Sequence, residues 1–128
     1  MLVSCGKDRI GEELDDSMKG YVKDNMTLNL YIIGDDDNDN ATVNARIRNY
    51  ASKKYNTTLN VVYCEEDVYC DTVTAKLNAA KTAIESEATD EASLKAIAEK
   101  PDIFLINSPE MMKNLYENGH LADITEFF

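Results

Sequence analysis

A chain of 128 residues with 44% hydrophobic content holds one domain with a modest core and excludes two full domains. Its 13 basic and 24 acidic residues leave a net charge of minus 11, which argues against a nucleic-acid groove or an anionic membrane surface and agrees with general solubility. No apolar run approaches the ~20 residues of a membrane helix.

The first residues read MLVSC. Leu2, Val3, Ser4 and Cys5 match the bacterial lipobox, in which the cysteine receives a lipid. Three cysteines are an odd count, and this match gives the unpaired one a role. The segment from Gly6 to Asn25 is polar, highly charged and poor in hydrophobic pattern, as a solvated tether is. The basic region and most of the apolar region of a signal peptide are missing before Cys5, so a tail with an incidental cysteine stands as the alternative.

Thr27 to Ile33 reads as the first strand, with Leu28, Leu30 and Ile32 on one face and Tyr31 and Ile33 on the other. Gly34 ends it, and an acidic loop, Asp35 to Asn40, leads to a helix that Asp39 or Asn40 would cap. Val43, Ile47, Tyr50, Ala51 and the stem of Lys54 recur at helical spacing, and Asn56 breaks the helix. Leu59 to Cys64 is the second strand. The following helix has a stripe of Val73, Leu77, Ala80 and Ile84, with Ala75, Ala79 and Ala83 adding propensity rather than contact. After a polar break, Leu94, Ile97 and Ala98 suggest a short helix ending before Pro101.

Ile103 to Ile106 is an apolar run without alternation, which predicts a central, parallel strand covered on both faces. Ser108 then suits N-cap, Pro109 suits N1, and Gly119 suits the left-handed position after the helix. Met111, Met112, Leu115 and Tyr116 form the apolar side of that helix. Leu121, Ala122, Ile124, Phe127 and Phe128 have no visible partner, so they either pack back on the domain or belong against sequence beyond it. The order β, α, β, α, α, β, α predicts an α/β fold, a three-layer, mostly parallel sheet flanked by helices. Ligands of such sheets bind beyond the carboxyl ends of the strands.

Few constellations suggest chemistry. Asp35, Asp37 and Asp39 have the spacing of a calcium loop, but Asn40 replaces the turn glycine and Arg46 replaces the bidentate glutamate. Cys64 and Cys70 are too far apart for a zinc knuckle: they form a small disulfide in an exported protein or stay reduced in a cytosolic one. His120, the single histidine, lacks a nucleophile and an orienting carboxylate nearby in sequence. No metal, cofactor or catalytic residue is expected.

Taken together, these features resemble the bacterial extracellular solute-binding proteins of ABC importers, the group that includes sugar-binding lipoproteins. LVSC and the charged tether, residues 1–26, resemble the family's start. LNLYIIGDD with the helix and strand through NVVY, and PDIFLINSPEMMKNLYENGHLADITEFF, resemble part of the N-terminal lobe over residues 27–128. The resemblance implies a nonenzymatic receptor on the extracellular face of the membrane, held by a lipid at Cys5 and delivering solute to an ABC permease. Its position-based ligand contacts map onto Asp35, Asp36, Asp37, Asn38, Asn107 and Ser108. Sugar is favoured over peptide. Sugar sites usually stack on tryptophan, which is absent here, so Tyr63, Tyr69 or a second lobe would supply the aromatic face. A magnesium-binding receiver domain shares the aspartate-rich first strand end, but its phosphorylated aspartate would fall on Asn107, which cannot form an acyl phosphate. A noncatalytic α/β interaction domain is the remaining alternative.

Overall fold

Alternating side chains in β1, Met26–Ile33, serve two faces of a sheet, and β2, Thr57–Cys64, runs parallel beside it from Met26↔Thr57 to Ile33↔Cys64. The computed structural model describes the backbone of residues 24–35 and 38–127, and their side chains except at 38, 39 and 127. Helix α1, Asn38–Tyr55, connects these strands, and Asn56 closes the helix at a positive φ of 48°. Asparagine tolerates that region better than most residues. Helices α2, Glu66–Glu85, and α3, Glu91–Ala98, lead from β2 to β3, Ile103–Phe104. Helix α4, Pro109–Glu117, and a short 3-10 turn, Thr125–Phe127, complete the described chain.

The sheet is parallel throughout, with strand order β2-β1-β3. The fold is thus α/β, an open three-stranded sheet between helices. Tyr31, Val62 and Phe104 face α2 and α4, where Tyr69, Val73, Met111 and Leu115 are fully buried. Burying each such side chain contributes roughly 1.5 to 3 kcal/mol before entropy is charged against it. The other face meets α1, where the Tyr63 hydroxyl donates to buried Asn44 Oδ1 at 2.7 Å.

Several expectations change. The central strand is β1, whereas β3 is a two-residue edge strand. Ile103 and Leu105 are 45% and 61% exposed, so the apolar run is covered on one face only. The chain pairs β3 through Leu30↔Ile103 and Tyr31↔Phe104 and then stops, because a side chain occupies the next rung. The Tyr69 hydroxyl donates to Tyr31 O at 2.9 Å and accepts from Leu105 N at 2.8 Å. In β1 the deepest positions are Asn29 and Tyr31, not the leucines.

The helices differ from expectation in the same way. Helix α1 starts at Asn38, which puts Asp39 and Asn40 inside its first turn rather than at its cap. Its Val43 and Ile47 are exposed, and Asn44 is the buried contact. In α2, Ala80 and Ala83 are buried while Ile84 is exposed, since small residues allow close approach to the neighbouring α3. Leu94 of α3 is also exposed. Helix α4 buries Met111 and Leu115 but leaves Met112 and Tyr116 in solvent. Its ends match the expected signals: Ser108 Oγ accepts from Met111 N at 3.1 Å, and Pro109 opens the helix. At the other end, Gly119 N and His120 N donate to Tyr116 O and Leu115 O while Gly119 adopts a φ of 75°. This is the Schellman arrangement.

Candidate functional site

Reversal of strand order fixes where a site belongs. The chain steps from β1 to β2 on one side and then returns past β1 to β3, so loops leaving β1 and β3 diverge from one end of the sheet. A crevice between such loops is the usual ligand position in open α/β sheets. Gly34 and Asp35 leave β1 there; Leu105 to Ser108 leave β3. Tyr69 lies between the two strand ends and holds them apart with both of its hydrogen bonds. Burial raises its phenol pKa, partly offset by the Leu105 amide that it accepts, so the group remains a neutral donor and acceptor.

The six expected contact residues have unequal standing. Asp35 is exposed, and its carbonyl accepts from Asn40 Nδ2 at 2.7 Å, which ties the loop to the first turn of α1. Asn107 is exposed and stands on the adjacent strand's exit. Ser108 has its hydroxyl committed to capping α4, so any contact it makes must tolerate that bond. Asn38 begins α1, and its side chain, like Asp36 and Asp37, lies outside the described residues. Cys5 and the whole tether lie outside them too.

Neither tyrosine offered for stacking is free to do so. Tyr69 is fully enclosed. The half-buried Tyr63 ring lies against Gly34, where an added Cβ would stand 3.4 Å from its Cδ1, and its hydroxyl is held by Asn44. Cys64 and Cys70 are free thiols, so the disulfide alternative is not realised in this structure. Burial raises the Cys64 pKa, with Lys76 opposing, and this keeps the group in its thiol form. Among the described residues no cluster of three or more potential ligands could hold a metal ion. No described helix is long and apolar enough to cross a membrane.

The sequence reading missed the polar pins beneath the site. Asn29 Nδ2 donates to Ala98 O at 2.7 Å and Lys100 O at 2.9 Å, while its Oδ1 accepts from Asn60 Nδ2 at 3.1 Å. Its backbone amide donates to Asp102 Oδ2 at 2.8 Å. The one available signal was a polar residue between Leu28 and Leu30 at a buried parity. Nearby, the Tyr31 hydroxyl donates to Glu99 O at 2.7 Å, and Lys76 pairs with the Glu99 side chain. That pair raises the Lys76 pKa and lowers that of Glu99. Beside it, a hollow of about 460 Å³ opens along β2, between Cys64 and Lys76.

Comparison with known proteins gives no matching family model, no matching curated protein and no matching solved structure.

Proposed function

We propose that this chain is part of the N-terminal lobe of an extracellular solute-binding protein that serves an ABC importer. The observation supporting this reading is the 2-1-3 parallel order, from which the loops leaving β1 and β3 diverge at one end of the sheet, the usual ligand position in open α/β sheets. One lobe supplies Asp35 and Asn107 as exposed polar contacts, suited to hydroxyls or amines. A second lobe closing over the crevice would bury the solute, and the difference in affinity between open and closed forms would drive closure. Sugar remains favoured over peptide. With Tyr63 and Tyr69 committed to the fold, an aromatic stacking face would come from that second lobe.

Sequencing genomic DNA on both sides of the coding segment tests this first. A frame continuing upstream into a basic, apolar signal region and downstream into a second α/β lobe is the expected result. The protein encoded by that frame should then gain thermal stability with a sugar from a screen of mono- and oligosaccharides, and lose the gain in Asn107→Ala. A frame that starts at Met1 and stops after Phe128 would overturn both export and two-lobed capture.

A further inference from the structure

We propose that the hollow bounded by the second half of α2, the approach to β3 and the exit from α4 binds a small oxyanion, phosphate or carboxylate. It has a volume of about 300 Å³ and is lined by Leu77, Lys81, Ile84, Glu85, Lys100 and Gly119 with His120. In a chain with 24 acidic residues, three of its basic groups meet here. Leu77 and Ile84 give the hollow an apolar wall, and an ion pair beside low-dielectric material is less screened than one in open water.

Backbone geometry keeps the place of the Lys81 ammonium open. Gly119 stands at a φ of 75°, and a Cβ there would come 3.1 Å from Lys81 Nζ. The ammonium donates to Asn118 O at 2.6 Å, and its carboxylate partner Glu85 is 3.9 Å away and largely in solvent. An ammonium has three protons to give, so an anion adds to these contacts rather than displacing the first. Lys100 is likewise held loosely, 3.5 Å from Asp102 Oδ1, since the other Asp102 oxygen accepts the Asn29 amide. With Nε2 of His120 donating to Asn78 Oδ1 at 2.7 Å, Nδ1 is the nitrogen that gains a proton.

The charged groups facing His120 are Lys81 and Glu85 from α2 and Lys100 from the segment before β3. Burial first, and Lys81 second, lower its pKa. An anion in the hollow would reverse the Lys81 contribution and favour the imidazolium. The site stands at the opposite end of the sheet from the β1 and β3 exits, because α4 returns from that end to reach His120. It is therefore independent of the solute-capture reading.

The lone histidine gives a single reporter. The test follows its ring proton resonances by NMR in the full 128-residue chain while inorganic phosphate, or in parallel acetate, replaces chloride at constant ionic strength. The expected result is a saturable change, with the histidine titrating at higher pH than in chloride. Saturation by phosphate assigns a phosphate source, and saturation by acetate alone assigns a carboxylate. Lys81→Met and Lys100→Met should each weaken the response by about fivefold, in line with partly exposed ion pairs. A response that is linear or absent in the unaltered chain overturns the proposal without reference to any variant. So does an unchanged response in the folded double variant.

Discussion

Asn29 illustrates how one side chain can join elements that are far apart in sequence. Asn29→Ala would strand the Ala98 and Lys100 carbonyls and the Asn60 amide, and should destabilise the fold by about 2 to 4 kcal/mol in urea. Tyr69→Phe should cost about 1 to 3 kcal/mol, with faster amide exchange at Leu105, because it removes the hydroxyl that accepts that proton. The acidic limb of stability has two parts. His120 carries a lowered pKa in the folded chain, so below its ordinary 6.5 the unfolded chain binds more protons and stability falls as pH falls through the folded pKa. Above that value the contribution is fully present. Glu99, Asp90 and Asp123, held low first by bonds from Lys76, Ser93 and Thr125, add a separate loss that begins only below the carboxylate values of 4.5 and 3.8. Thermal unfolding in chloride buffers should therefore show a slope below pH 6.5 that disappears in His120→Asn, while the lower slope remains.

Among the elements, α4 was the most legible because local chemistry defines both its ends. Ser108, Pro109 and Gly119 each answer a backbone requirement that no distant contact can alter. Which of its apolar residues face inward depends on α2 and on the sheet, and the sequence carries no direct record of that. Met111→Ala and Leu115→Ala should each cost about 2 to 5 kcal/mol, whereas Met112→Ala and Tyr116→Ala should stay within about 0.5 kcal/mol by chemical denaturation. Helix α1 shows the reverse case. Val43 and Ile47 have the right spacing for a core stripe, yet the helix turns Asn44 inward to meet the Tyr63 hydroxyl. A polar partner on another strand decided its rotation.

For the whole molecule, alternation of strand and helix was enough to give a parallel α/β sheet, since crossover connections leave few other arrangements. Strand order was not legible in the same way. Ile103 to Ile106 has the composition of a covered strand, but only the placement of Tyr69 reveals that the ladder ends after Phe104. The candidate site was legible to the extent that Asp35 and Asn107 follow strands; the hollow around Lys81 was not, because its residues come from three separated segments. The outer edge of β3 has a further expected outcome. Leu105→Lys should lower self-association at high concentration, measured by sedimentation, with stability changed by no more than about 0.5 kcal/mol.

The contacts of Asn29 also set an order in time. Its bond with Asn60 closes a separation of 31 residues, whereas those with Ala98, Lys100 and Asp102 close separations of 69, 71 and 73. Shorter closures lose less chain entropy and tend to form earlier. The β1–α1–β2 unit should be assembled in the folding transition state before β3 docks against it. Substitution of Asp102, which joins only the later event, should then accelerate unfolding and leave the refolding rate nearly unchanged.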